Sequence, residues 1–289
     1  MSGPPTISCV IPVHNGRRDL RRAVDSVLLQ SPEVQVVLVD DCSTDGSADL
    51  VLEMAASDVR ILAVMLPSNH GQGFARNVGV GAAEADYVTF LDQDDEHMAG
   101  WYVHAFDVLE RYPGVAAVKG DVELVGIPDE VSLSRGDARW RAIVNSPIWN
   151  VVMRKIIYGV LGGCPTSSAY RTREGTEDIA LITSVVRNFE MLTSSYVATR
   201  HYLQPNGATV AFLRRTTVVD DRIQYLQITD GEREAALSGA ANEYELHSIA
   251  NMACMRTLLA PQFEREGKLR PPASASFLQR LMGKSSEKR

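Results

Sequence analysis

Short apolar runs alternate with amphipathic stretches over the first third of the chain. Residues 7–13, 34–39, 59–65 and 87–91 are rich in Val, Ile and Leu and show no regular polar alternation. Runs of that length and branching predict β-strands. Between them, 17–30 sets Leu20, Val24, Val27 and Leu28 on one helical face, and 47–57 and 73–83 also predict helices. His14-Asn15-Gly16 supplies a turn after the first run, and Asp45-Gly46 one before the second helix. Strands without a polar face are covered on both sides, which predicts a parallel sheet. Strand–helix–strand units with right-handed crossovers then give a Rossmann-like, doubly wound α/β half. Ligands in such sheets bind beyond the carboxyl ends of the strands. Segments 12–16, 40–45, 67–73 and 92–95 fall there.

Beyond residue 95 the pattern loosens. A helix is expected at 101–112, a strand at 115–125, a turn-rich loop at 126–136 and a mostly helical stretch at 139–161. A short strand is expected at 167–171 and a helix at 177–188. The Ala- and Glu-rich stretch 232–259 predicts a further helix, and the basic end 284–289 a mobile tail.

Composition narrows the function classes. The 289 residues are 45% apolar and 22% charged, as in ordinary globular proteins. Twenty-nine bases against 36 acids give a net charge of −7, which argues against nucleic acid held by a basic surface. A local phosphate site stays open, because nearby groups or a metal can reverse the sign there. Cys9, Cys42, Cys164 and Cys254 make no C-x-x-C pair, so a zinc or disulfide framework is disfavoured and a reducing cytoplasm fits. Residues 1–5 lack the basic start and apolar core of a secretory signal. No apolar run reaches the ~18 residues of a bilayer span. The nearest, 148–161, is broken by Asn150, Arg154 and Lys155. The expectation is a cytoplasmic protein, with peripheral contact at the inner membrane face left open by that stretch and by Lys268, Arg270, Arg280, Lys284, Lys288 and Arg289.

The strongest chemical signal is Asp92-Gln93-Asp94-Asp95, directly after the fourth strand. Side chains two apart on an extended chain share a face, so Asp92 and Asp94 can converge. Two close carboxylates repel, and a divalent cation removes the repulsion. Hard oxygen ligands suit Mg²⁺ or Mn²⁺, with substrate phosphates completing the shell. After the second strand, Asp40 and Asp41 are candidates to accept hydrogen bonds from a base or ribose, while Asp45 and Ser47 suit capping of the next helix. Asn69-His70-Gly71-Gln72-Gly73 brings backbone close to a ligand, with Arg76 in reach of a phosphate or base. The three-glycine dinucleotide fingerprint is absent, which disfavours a nicotinamide dehydrogenase.

Four ordered motifs carry a resemblance. They are Ser8-Cys9-Val10-Ile11-Pro12-Val13-His14-Asn15, Val39-Asp40-Asp41-Cys42-Ser43-Thr44-Asp45-Gly46-Ser47, Asn69-x-Gly71-x-Gly73-x-Ala75-Arg76-Asn77 and Thr89-Phe90-Leu91-Asp92-Gln93-Asp94-Asp95. Together, over residues 6–98, the chain resembles family 2 glycosyltransferases with the GT-A fold. The resemblance implies a nucleotide-sugar-binding half at 1–98, an acceptor-binding half of the same domain at 99–215 and a helical C-terminal extension at 216–289. It implies a nucleotide pocket at Pro12, Val13, Asn15, Gly71 and Gln93. Asp41, or else Asp40, would contact the base, usually uracil, and Arg76 would flank the nucleotide. Asp92 would lie near ribose or metal, and Asp94 would hold the metal that bridges the diphosphate.

The resemblance further implies inverting transfer from a nucleotide-diphosphate sugar, UDP favoured, to an acceptor hydroxyl on a saccharide, lipid-linked or small molecule. Such enzymes use a carboxylate base in the second half. Glu177-Asp178 opens an apolar-periodic helix, so Asp178 is the base candidate and Glu177 the second choice. Acids in a first helical turn also simply favour the dipole. His201 is a candidate third metal ligand. Gly162-Gly163 could admit an acceptor to the backbone, and Trp140 and Trp149 either stack on an acceptor sugar or pack in the core. Two rival readings remain: a non-catalytic sugar-nucleotide-binding module, and a sugar-phosphate nucleotidyltransferase. The second wants an Arg-containing, Gly-rich loop after the first strand, which His14-Asn15-Gly16 does not supply.

Overall fold

The computed structural model describes residues 6–31, 33–167, 170 and 177–226. The first half alternates as the pattern predicts: β1 (Ile7–Val13), α1 (Leu20–Leu28), β2 (Val34–Asp40), α2 (Ser47–Ser57), β3 (Ile61–Met65), α3 (Gln72–Ala82) and β4 (Tyr87–Phe90). There follow β5 (Glu96–His97), α4 (Trp101–Arg111), β6 (Ala117–Val125), α5 (Ala138–Asn145), β7 (Val151–Arg154) and α6 (Lys155–Leu161). The last described elements are α7 (Glu177–Asn188), β8 (Met191–Tyr202), α8 (Ala208–Arg215), β9 (Thr216–Val219) and β10 (Arg222–Tyr225).

Eight strands form one mixed sheet in the order β3-β2-β1-β4-β7-β6-β8-β5. Strands β3, β2, β1 and β4 are parallel. Strand β7 runs antiparallel to both β4 and β6, so β6 points the same way as β4. One sheet face packs against α1, α2 and α4 through Leu20, Val24, Val51 and Trp101. The other packs against α3, α6 and α7 through Val80, Leu161, Leu181 and Val185. Helix α3 lies tight on β1 because Gly79 has no Cβ; one added there would meet a Val10 methyl at 2.3 Å. With both faces covered, all seven residues of β1 and of β2 are buried.

Several expectations are corrected. The stretch 139–161 is not mostly helical, since β7 interrupts it. Val151, Val152 and Met153 are fully buried between β4 and β6, and that packing overrides a local pattern ambiguous between helix and strand. Strand β8 was not foreseen, because much of it is only half-buried and its alternation is weak. At the expected strand 167–171, Ser167 is a bend and Tyr170 a turn of 3₁₀ helix, and the other three positions lie outside the described residues. The expected C-terminal extension begins with a hairpin, β9–β10, turning at Asp220 and Asp221, both with positive φ. The helix expected at 232–259, the tail, the basic set from Lys268 onward, Cys254 and residues 1–5 lie outside the described residues. No described helix is long and apolar enough to cross a membrane.

Candidate active site

The carboxyl ends of β1, β2 and β4 surround a cleft of about 160 Å³. Strand β1 contributes Pro12 and Val13 with His14 following. Asp41 follows β2, and Asp92, Gln93 and Asp94 follow β4. Gln72, at the start of α3, forms the wall shared with a second cavity of about 190 Å³. That cavity lies between the β3–α3 loop, Phe74, Pro165, Tyr170 and Glu177.

Asp41 is buried, and its two carboxylate oxygens accept the backbone N–H groups of His70 and Gly71, each at 2.7 Å. Gly71 has φ +87°, a conformation that favours glycine and turns both amides toward one carboxylate. The Asp41 carbonyl meets His14 Nδ1 at 2.9 Å. Asp40 accepts Ser43 N–H at 3.0 Å through Oδ2, and its buried Oδ1 has no partner among the described residues.

Two residues expected to touch the nucleotide also bond within the protein, and Gln93 lines the cleft as well. Gln93 accepts His14 N–H at 2.9 Å and donates to His14 C=O at 3.0 Å, a side chain closing onto β1 like a short piece of strand. Asn15 accepts Thr44 N–H at 2.8 Å and donates its own backbone N–H to Ser43 Oγ at 3.0 Å, tying two loops together. Asp45 accepts from Ser47 N–H at 2.9 Å at the start of α2, the capping role expected of it.

Arg76 is 1% exposed. It does not open toward the cleft as a free phosphate ligand. Its Nη2 donates to Asp92 at 2.9 Å and its Nη1 to Glu177 at 2.8 Å. Burial opposes the guanidinium charge, but the two carboxylates outweigh it and raise its proton affinity. Asp92 is thereby tied to the first turn of α7. Glu177 is buried, and its Oε2 has no partner among the described residues. Asp178 accepts the N–H of Ile179 at 2.7 Å. Burial lifts its carboxyl to about 7, with Arg76 pulling it down and Glu177 and Asp92 adding to the rise. A carboxyl at that value can exchange a proton near neutrality.

Asp94 is lifted to about 6, by burial first and then by the charges of Asp95 and Asp92. Its backbone carbonyl accepts Arg22 Nη2 at 2.6 Å. A half-buried carboxylate held among like charges is the chemistry a divalent cation would relieve. No three His, Cys, Asp or Glu side chains converge on one point among the described residues. His201, the expected third ligand, is engaged with neighbouring side chains in this arrangement. Its Nδ1 pairs with Asp95 at 2.7 Å and its Nε2 meets Thr209 Oγ1 at 3.2 Å. Burial works against the imidazolium, yet the Asp95 charge and hydrogen bond raise His201 overall. Asp95 also accepts Tyr202 N–H at 2.9 Å, pinning the end of β8 to the loop after β4.

Trp149 is buried and stacks on His201 at 4.9 Å, so it packs in the core and does not face an acceptor. Trp140 lies under the Arg135 guanidinium. Gly162 ends α6, and Gly163 packs against Asn77, both with positive φ. Arg22 and Asp95 were given no role from sequence. Asp95 carried a signal, as the last acid of the Asp92-Gln93-Asp94-Asp95 run, and Arg22 carried none.

The family profile described as Glycosyl transferase family 2 matches residues 8–179. The chain belongs to glycosyl transferase family 2. This family member is 39% identical over 92 residues to an uncharacterized glycosyltransferase of Haemophilus influenzae, covering 32% of this chain and 37% of that one. It is 42% identical over 93 residues to the putative teichuronic acid biosynthesis glycosyltransferase TuaG of Bacillus subtilis, with 32% and 37% covered. The matched stretch thus spans little more than a third of those two relatives. The family 2 fold is also that of S. aureus TarS. A fragment in complex with UDP superposes with TM-score 0.57 at 19% identity over 69% of this chain and 61% of that one. A fragment in complex with UDP-GlcNAc gives 0.58 at 16% identity over 91% and 76%. At such identities the likeness is one of fold, the GT-A fold.

Proposed function

We propose that this family 2 member transfers a sugar, with inversion, from a nucleotide-diphosphate sugar to an acceptor hydroxyl. UDP is the favoured nucleotide, since the cleft lies at the sheet edge of a fold that TarS shares in complexes with UDP and UDP-GlcNAc. In this reading residues 6–98 hold the donor and the second half holds the acceptor. Pro12, Val13 and His14 line the nucleotide cleft, and Asp41 fixes the His70-Gly71 backbone beside the base. Asp92 and Asp94 would hold Mn²⁺ or Mg²⁺ together with diphosphate oxygens. The cation would supply Lewis-acid neutralisation of the leaving diphosphate, worth several kcal/mol.

Asp178 is the general base. It takes the proton of the acceptor hydroxyl, whose oxygen bonds to the anomeric carbon from the face opposite the diphosphate. The bond from that carbon to the diphosphate oxygen breaks, and the electron pair leaves with the diphosphate. The observation that carries the reading is the Arg76 bridge, which joins Asp92 to Glu177 and so sets Asp178 beside the donor carboxylates. The absence of a paired cysteine spacing, with Cys9, Cys42 and Cys164 free, supports a cytoplasmic setting.

The test is thermal unfolding with a panel of nucleotide sugars with and without Mn²⁺, followed by transfer assays on the donor that stabilises most. Stabilisation by a UDP-sugar that needs Mn²⁺ is the expected result. No stabilisation by any nucleotide sugar would refute it.

A further inference from the structure

Asp92-Gln93-Asp94-Asp95 closes into a tight turn, in which Asp95 N–H donates to the Asp92 carbonyl at 3.1 Å. Each residue of the turn is tied to a different part of the fold. The Asp92 carboxylate accepts from Arg76 of α3. The Asp95 carboxylate accepts Tyr202 N–H and pairs with His201, both of β8. The Asp94 carbonyl accepts from Arg22 of α1, while Asp94 itself lines the cleft. Gln93 is the tie to the end of β1. Asp92 and Asp95 thus hold the two ends of the turn, and Gln93 holds its tip beside Asp94.

The backbone of His14 admits one orientation of the Gln93 amide. An N–H only donates and a C=O only accepts, so Oε1 takes the first at 2.9 Å and Nε2 the second at 3.0 Å. The anchor is itself fixed on both sides. Before it, Asp41 N–H donates to the Val13 carbonyl at 2.7 Å; after it, Gly16 N–H donates to Ser47 Oγ at 3.0 Å.

Gly16 also makes the room. A Cβ there would stand 2.0 Å from Gln93 Oε1 and 2.2 Å from its carboxamide carbon, far inside contact distance. Gly16 is not among the glycines with positive φ, so its backbone would accept alanine. What requires the missing Cβ is the Gln93 amide.

We propose that Gln93 is a positioning residue, whose two-ended clasp on His14 sets the turn after β4 at the angle that presents Asp94 to a divalent cation in the cleft. This rests on the reading of Asp92 and Asp94 as the cation's ligands. Gln93 acts through Asp94 and makes no bond to the cation.

Calorimetry of UDP binding to the full chain, in Mn²⁺ and in EDTA, tests the assignment. Gln93→Met keeps the length of the side chain and loses both bonds. Gly16→Ala keeps the amide and drives it off His14. Either substitution is expected to weaken binding in Mn²⁺ about tenfold, the scale of two lost hydrogen bonds, and to leave binding in EDTA within about twofold of the wild type. With Gln93→Ala already in place, the methyl of Gly16→Ala has no amide to displace and is expected to add no further loss. Equal weakening in Mn²⁺ and in EDTA would make Gln93 a nucleotide contact or a merely structural residue, and would overturn the proposal. So would a full Mn²⁺ effect in both single variants, or strict additivity of Gly16→Ala with Gln93→Ala. Each of these defeats Gln93 alone. Wild-type protein whose UDP binding gains nothing from Mn²⁺ would defeat the cation reading of Asp92 and Asp94, and the proposal with it.

Discussion

Arg76 donates one arm of its guanidinium to Asp92 and the other to Glu177, residues 85 positions apart in sequence, and is itself closed off from solvent. Lysine cannot substitute for this fork, because an ammonium is a point charge without two parallel donor edges. The arrangement joins the loop after β4 to the first turn of α7, and so joins the donor side of the cleft to the proposed base.

Removing that guanidinium leaves a buried carboxylate uncompensated, a loss of about 3–5 kcal/mol. Arg76→Met is expected to lower the urea midpoint accordingly, and Arg76→Lys to recover only part of it. A variant with wild-type stability would show that Asp92 and Glu177 do not depend on Arg76.

Asp178 is held near 7, above the ordinary carboxylate value, chiefly by burial. A base works ionised, so turnover is expected to rise with pH through about 7 and then level off. Asp178→Asn is expected to lower turnover about 10²–10⁴-fold with nucleotide-sugar binding intact. The stability effect has the opposite sign. A raised carboxyl contributes stability below its unfolded value and loses it as pH climbs through the folded one. Asp178→Asn should therefore melt higher than the wild type at pH 8 and show no such advantage at pH 4. Melting curves at the two pH values decide this.

Asp94→Ala is expected to remove the Mn²⁺-dependent part of nucleotide-sugar affinity, at least tenfold or about 1.4 kcal/mol. Calorimetry with and without Mn²⁺ measures it. Equal Mn²⁺ dependence in wild type and variant would take Asp94 out of the metal site.

His97 is fully buried, with Nδ1 near Tyr102 Oη at 2.8 Å and Nε2 near the Trp149 carbonyl at 2.8 Å. Burial lowers it to about 4, so the folded protein holds it neutral. A depressed histidine contributes stability above its unfolded value near 6.5 and loses it as pH falls toward 4. That amounts to about 3 kcal/mol over the window. Denaturant midpoints between pH 7 and pH 4 should fall in the wild type and much less in His97→Phe. Parallel curves would contradict the assignment.

The chain's pattern alone determined the first half. The strands 7–13, 34–39 and 87–91 and the three helices between 17 and 83 fall close to where periodicity sets them. A strand buried on both faces must be apolar throughout, and a covering helix must repeat every three to four residues, so those constraints are local and readable. The carboxylates at the strand ends were readable for the same reason, because the sheet's ligand edge follows from strand direction.

What the sequence could not determine was pairing over distance. Whether 151–154 is strand or helix depends on a slot between β4 and β6 that exists only once both have formed. Whether Arg76 reaches a phosphate or two carboxylates depends on α7, a hundred residues later. His201 meets Asp95 across 106 positions. Side-chain charge is written in the sequence, but its partners, its burial and hence its proton affinity belong to the folded chain.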